Sequence, residues 1–284
     1  MMDLEQPDLR ERKSDDQACF RQSKLRRLAL LSALFIALLL LGISVASTGG
    51  TLPTGGNCTQ PEGMAPRKPG TYVYLGNGCF WERQWAYVQV EQTLWRRPAT
   101  EVSAKVGYAG GSSGSGDVCY HCGISCSRDY SRLGHAEVVE VRLDSGSAQA
   151  QMEALAGDFF GSMQCGDGGC IRPDPMDRGG EYRSLIGVPG GVDGPLYAAV
   201  VRANTVGMTL KSGLGDEGEE RNTVLVYDTE AFPFHLGEPY HQFHSNFFMS
   251  DGMPYPSSYT HDMWCLKASQ GEIPSTGCPD GRHQ

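Results

Sequence analysis

Hydrophobic and polar positions along this chain fall into separated blocks whose periods switch between two and 3.6 residues, predicting strands and helices in turn. Thr71-Tyr72-Val73-Tyr74-Leu75 is β-branched and aromatic, which predicts a short strand. After the turn Gly76-Asn77-Gly78, the residues Trp81, Trp85 and Val88 recur at i, i+4, i+7 with Glu82, Arg83 and Gln84 off that stripe, the pattern of a helix beginning near Cys79. Residues 100–106 and 136–143 alternate as strands, the second with Val139 and Val141 on one face. A helix is predicted over 148–160, with Met152, Leu155 and Phe159 along one stripe. Residues 163–180 read as irregular, 182–187 as a short strand, 196–208 as a helix and 223–227 as a strand, and from Phe232 the chain is turn-rich and aromatic. Alternating elements without internal repeats predict one α/β or α+β domain over residues 70–265.

One block differs in kind. Leu28 to Ala46 runs for 19 residues without a charge, and as a helix it would span roughly 28 Å, the thickness of a bilayer's hydrocarbon core. Residues 1–27 are charged, poor in large apolar side chains and predicted disordered. The basic cluster Arg21, Lys24, Arg26, Arg27 precedes the run and residues 47–57 after it carry no charge. The positive-inside rule then keeps the N-terminus cytoplasmic, makes 28–46 a transmembrane signal anchor and places 47–284 in a secretory lumen or outside the cell. Ser44-Val45-Ala46 resembles a cleavage site, so a secreted chain is the alternative; the polar lead and long apolar run favour the anchor. Residues 47–69 are Gly-, Pro- and Thr-rich and read as a linker, and 266–284 as a flexible tail carrying Cys278.

The net charge of −9 leaves no basic stripe for nucleic acid. Ten cysteines are many for a cytosolic protein. With Cys19 set aside on the cytoplasmic side, nine remain, an odd number, so full pairing of the others leaves one free thiol, for which Cys79 is the natural candidate. Asn57-Cys58-Thr59 is a glycosylation acceptor. Cys119, Cys122 and Cys126, with Cys165 and Cys170, have spacings open to disulfides or to zinc, with His121 able to join either; an oxidising lumen favours disulfides. Cys79 itself sits where a strand turns into the first turn of a helix, a place that lowers thiol pKa and suits a reactive thiolate, although a small buried cysteine behind a tight turn has the same local pattern.

Five separated stretches, Gly78-Cys79-Phe80-Trp81, Val106-Gly107-Tyr108-Ala109-Gly110-Gly111, Gly134-His135-Ala136-Glu137-Val138-Val139, Tyr182-Arg183-Ser184 and Glu238-Pro239-Tyr240-His241-Gln242, stand in the order seen in A-type peptide-methionine sulfoxide reductases, which the chain resembles over residues 70–245. The resemblance implies an α/β two-layer sandwich around a mixed sheet with a ferredoxin-like core. It implies reduction of the S epimer of methionine sulfoxide, in proteins or free, with Cys79 as nucleophile and Phe80 and Trp81 walling the pocket for the S-methyl group; Trp85 reads as core. Glu137 takes the place of the catalytic acid, Asp177 that of an active-site aspartate, and Tyr182 that of a tyrosine on the sulfoxide oxygen. Tyr130 fits the second tyrosine, with Tyr120 as the fallback. Cys265 and Cys278 are the positional candidates for resolving a Cys79 sulfenic acid; a structural disulfide between them is the alternative. No cofactor would be bound, and an external thioredoxin-like dithiol would be the reductant and an oxidised protein or peptide the substrate.

The chemistry fits those residue types. A thiol attacks sulfur, a carboxyl with pKa raised by desolvation protonates the departing oxygen, and hydroxyls hold the polarised S=O. Two departures stand out. Glu82 occupies a position where most relatives have glycine, and a carboxylate there would raise the thiol pKa if it points inward, or cap the helix from outside. The cysteine-rich loop at 119–126 is extra, which keeps open a cysteine-rich binding module on the same fold as a rival. A generic thiol oxidoreductase on Cys119-Tyr120-His121-Cys122 lacks the strand-then-helix setting it would need.

Overall fold

The computed structural model describes residues 58, 63–112, 117–120, 122, 126–172, 174, 177–244 and 255–279, all within the unit Pro53–Gln284. The expected anchor 28–46, the tail 1–27, Asn57 and His121 lie outside the described residues, among which no helix is long and apolar enough to cross a membrane.

Strand β1 (Thr71–Gly76) leads into helix α1 (Phe80–Gln89), then β2 (Lys105–Ala109), β3 (Ala136–Leu143) and helix α2 (Ala148–Gly161). A hairpin of β4 (Gln164–Gly166) and β5 (Gly169–Ile171) follows, then β6 (Leu185–Val188), α3 (Tyr197–Ala203), β7 (Thr209–Ser212), β8 (Thr223–Asp228), β9 (His235–Leu236) and α4 (Trp264–Ser269). The main sheet runs β7-β8-β6-β1-β3-β2-β9. Its centre, β6-β1-β3-β2, is antiparallel throughout and threaded β-α-β-β-α-β, the ferredoxin-like unit. The pairs β6–β8 and β7–β8 are parallel, which makes the sheet mixed.

Period-two alternation sorts the strand residues onto two faces. Val73, Leu75, Val139, Val141, Ile186, Val188, Val224 and Val226 join the core under the helices with Met152, Leu155, Phe159 and Phe160. Tyr74, Ala136, Val138, Leu185, Leu225 and Tyr227 lie on the other face, covered by Phe232 and Phe234. Each aliphatic or Phe side chain so buried contributes about 1.5–3 kcal/mol. Glu137 is in register with Val139 and Val141, so the pleat places it on the helix face, beneath the start of α1. Glu140 points to the opposite face and is buried against Arg67 at 2.7 Å.

Several boundaries differ from expectation for identifiable reasons. The strand expected from residue 100 begins at Lys105, because the buried Glu91 carboxylate takes the backbone N–H groups of Ser103 and Ala104 (2.8–3.0 Å) that pairing would need. The helix expected over 196–208 stops at Ala203: the Asn204 amide bonds both backbone groups of Met208, closing a turn instead of another helical cycle. The region read as irregular holds the β4–β5 hairpin, closed by the Cys165–Cys170 disulfide.

The expected boundary between domain and tail at 265 falls inside α4, and the segment beyond it is fastened through residue 278. Ala65 N–H donates to Gly271 O at 2.8 Å, and disulfides join Cys58 to Cys265 and Cys119 to Cys278. Cys265 and Cys278 therefore pair elsewhere rather than with each other. With Cys122–Cys126 and Cys165–Cys170, every cysteine after Cys19 is paired except Cys79. The zinc-like spacings are used for disulfides.

Candidate active site

Cys79 precedes the first residue of α1, after a turn that only glycine fits: Gly78 has φ +96°, and a Cβ there would stand 2.9 Å from the Asp174 Cβ. Gly78 N–H donates to Tyr182 O at 3.1 Å, which docks the turn on the segment that carries Tyr182. The N–H groups that follow each have a destination. Cys79 N–H reaches Asp174 Oδ2 at 3.4 Å, Phe80 N–H donates to Glu137 Oε2 at 2.9 Å, and Trp81 N–H points at the Cys79 sulfur.

Two of these donors thus serve carboxyls, Asp174 and Glu137, and the thiol's acidity moves opposite to expectation. Burial pushes the Cys79 thiol up, and the Glu137 charge adds to it; the Trp81 N–H opposes, and Asp177 and Asp174 push further in the same direction as Glu137. Glu137 is 1% exposed and its pKa also lies well above the usual carboxylate range, from burial first, resisted by the Phe80 N–H and reinforced by Asp177 and Asp174. Both groups hold their protons near neutral pH, so the resting site contains a thiol and a carboxylic acid side by side.

Three tyrosines complete the site. The Tyr130 ring is buried between Tyr108 and Tyr120, with centroids 4.8 and 5.2 Å away, and its hydroxyl bonds Glu137. The Tyr182 hydroxyl is shared with those of Tyr120 and Tyr130. Burial, then the Glu137 charge, raises Tyr182 to about 12, so it is a neutral donor. Tyr130 and its fallback Tyr120 are both present: Tyr130 lies behind, against Glu137, and the half-buried Tyr120 lies in front, over Phe80 at 6.3 Å.

Asp177 and Asp174 form a carboxyl pair. Burial and its neighbour Asp174 raise Asp177, with Arg172 pulling the other way. Phe80 is buried among Tyr108, Tyr120 and His241, at 6.0, 6.3 and 5.3 Å. Trp81 stacks on His244 at 3.8 Å and 15°, and Trp85 packs edge-on to Tyr255 and Tyr259. Glu82 is 48% exposed and pairs outward with Arg83 at 3.2 Å. His135 is a buried structural histidine: its Nδ1 accepts the Gly111 N–H at 3.1 Å, and burial, then His235, lowers it to about 4.

Cys79, Glu137, Tyr130, Asp177, Tyr182, Phe80 and Trp81 all belong to this one constellation. Cys265 and Cys278 are held in disulfides. Sequence reasoning missed Asp174, His244 and the pair Tyr108–Glu238, bonded at 2.6 Å. Tyr108 and Glu238 stand in two of the motif stretches quoted above without a role assigned to them; the spacing Asp174-x2-Asp177 was the local signal for Asp174, and His244 depends on long-range contacts.

No family model matches the chain. Among curated proteins, the peptide methionine sulfoxide reductase MsrA of Methanoculleus marisnigri is 30% identical over 179 residues, 63% of this chain and 91% of that protein. Similar solved structures include methionine sulfoxide reductase A of Corynebacterium diphtheriae (20% identity, 66% of this chain and 85% of that one, TM-score 0.38) and Mxr1 from Saccharomyces cerevisiae in reduced form (19%, 60% and 81%, TM-score 0.33). A match of 30% identity across nearly the whole of that relative decides membership: this chain belongs to the peptide methionine sulfoxide reductase A family of oxidoreductases.

Proposed function

We propose that this chain reduces the S epimer of methionine sulfoxide in peptides and proteins to methionine, with Cys79 as nucleophile. The observation that carries the reading is the free Cys79 thiol next to the buried Glu137 carboxyl, which takes the Phe80 N–H and the Tyr130 hydroxyl, with the Tyr182 hydroxyl bonded to Tyr130 in turn. The S-methyl group would lie against Phe80 and Trp81, and the sulfoxide oxygen toward Tyr182, Tyr120 and the Glu137 proton. As Glu137 protonates that oxygen, it becomes the base that accepts the Cys79 proton, and the sulfur attacks. Two electrons pass from the Cys79 sulfur to the substrate sulfur, the oxygen moves to Cys79, and the products are methionine and a Cys79 sulfenic acid. Asp177, half of a carboxyl pair with Asp174, would keep the negative field that holds the Glu137 proton in place.

The sulfenic acid is then cleared by a thiol, with loss of water. Every other described cysteine is in a disulfide, so for Cys265 or Cys278 to act as resolving thiol an external thioredoxin-like dithiol must first open its link. No bound cofactor is needed. Four disulfides support an oxidising compartment for the domain, in keeping with the expected anchor at 28–46 or with secretion after its cleavage.

The test is turnover of a peptide carrying the S epimer with dithiothreitol, wild type beside Cys79→Ser. Methionine formed by the wild type alone is expected; equal activity in both, or none in either, sinks the reading.

A further inference from the structure

Glu238 is buried and has no part in the chemistry above, yet it holds both ends of the tyrosine stack. Its Oε2 accepts the Tyr108 hydroxyl at 2.6 Å and its Oε1 accepts the Tyr120 backbone N–H at 2.7 Å. Tyr108, Tyr130 and Tyr120 stack in that order, so one carboxylate fixes the two outer members of a column whose middle hydroxyl touches Glu137. Beside it lies a covalent link: the Cys119 and Cys278 sulfurs and a Glu238 oxygen are within 4.8 Å of one another. The segment around residue 278 is further held by the Arg128 guanidinium on Gly277 O at 3.2 Å, and Cys119 N–H by Arg128 O at 2.8 Å. Cys119 is fully buried and adjoins Tyr120, so the link sets where that residue's backbone can go.

We infer that the Cys119–Cys278 disulfide and the Glu238 carboxylate are positioning groups for sulfoxide reduction, fixing the Tyr120 hydroxyl next to Tyr182 as a further donor to the sulfoxide oxygen. The inference rests on the reductase reading of the Cys79 site. It gives the carboxy-terminal link a duty in the chemical step itself, separate from any part in clearing the sulfenic acid. A hydroxyl held by a backbone that is bonded on one side and cross-linked on the other needs no reorganisation when charge develops on oxygen.

The experiment is a single turnover with enzyme in excess of a methionine-S-sulfoxide peptide and no reductant, so that only the Cys79 step is read. Cys119→Ala/Cys278→Ala is expected to be about tenfold slower than wild type, less than the roughly 10²–10³ that loss of a sole oxyanion donor costs, because Tyr182 remains. Tyr120→Phe should be slowed to a similar extent, and the combined variant no further, since both changes remove one interaction. Glu238→Gln, which keeps an acceptor for the Tyr120 N–H, should stay near wild type, whereas Glu238→Ala falls with Tyr120→Phe. The Glu238 and Tyr120 variants carry the same non-additivity test should the link-free variant fail to fold. Undiminished single turnover in the link-free variant overturns the inference, including the case in which only steady-state turnover with dithiol falls; so do additive losses. A wild type that forms no methionine brings down the reductase reading together with it.

Discussion

The Phe80 backbone N–H donates to Glu137 Oε2 at 2.9 Å, across 57 residues of chain, so the start of α1 is anchored on the strand that supplies the acid. A helix N-terminus that would otherwise acidify Cys79 is engaged by a carboxyl. The nucleophile of this site therefore rests as a thiol, and its activation waits for a substrate oxygen able to take the Glu137 proton.

The first consequence concerns alkylation. Burial, then Glu137, raises Cys79, so its apparent pKa from iodoacetamide rates across pH should exceed the about 8.5 of a free cysteine. Glu137→Gln removes the second of those causes and should speed alkylation at alkaline pH, where Glu137 is ionised, while slowing sulfoxide turnover by about 10²–10⁴-fold through loss of the acid. Opposite signs in the two assays are the expected signature. A wild-type apparent pKa at or below the ordinary value would contradict it.

Stability carries the same information. The folded-state pKa of Glu137 is raised well above its unfolded value of about 4.3, so between the two the folded chain binds more protons than the unfolded one. Its contribution is greatest at low pH and declines as pH climbs through that window. Glu137→Gln should melt at the same temperature as wild type near pH 4 and progressively higher than wild type as pH rises to 8. A difference in melting temperature that does not change with pH would refute the assignment of a buried, costly ionisation.

Gly78 offers a backbone test. Alanine there must adopt φ near +96° and bring its Cβ to 2.9 Å from that of Asp174. Gly78→Ala should cost about 1–3 kcal/mol in denaturant unfolding and, by pushing Asp174 off the Cys79 N–H, lower kcat as well. Unchanged stability would show that the turn has room to relax.

The Cys58–Cys265 link spans 207 residues of sequence. Constraining so long a loop should stabilise the fold by about 2–4 kcal/mol, so Cys58→Ala/Cys265→Ala is expected to unfold at a clearly lower denaturant concentration. Coincident unfolding midpoints would mean that the link adds nothing to the folded state.

What could be read from the sequence was what local pattern and ordered motifs carry. β-branched and aromatic residues along 71–75 and alternation along 136–143 placed two of the strands, and the Gly-His-Ala-Glu stretch singled out Glu137. The odd count of cysteines pointed at Cys79 as the free thiol, and the eight other cysteines after Cys19 pair without it. What stayed hidden was decided by contacts between distant residues. The direction of the Cys79 shift depends on where the Phe80 N–H goes, and the late start of β2 on a carboxylate 12 residues before Ser103. The partner of Cys278 is 159 residues away, in a loop whose spacing was open to disulfides or to zinc. Tyr120 and Tyr130 could not be ranked by spacing because both occupy the site, one in front of the other.

The covalent join between Cys58 and α4, with Ala65 hooked to Gly271 close by, also has a mechanical meaning. A pull applied at Cys58 is carried through sulfur into α4, and one at Ala65 passes through its hydrogen bond to Gly271 just beyond that helix, before either reaches β1. Load entering at Cys58 is thus diverted into α4 ahead of the strand that ends at the Gly78 turn, so the nucleophile keeps its place beside its acid.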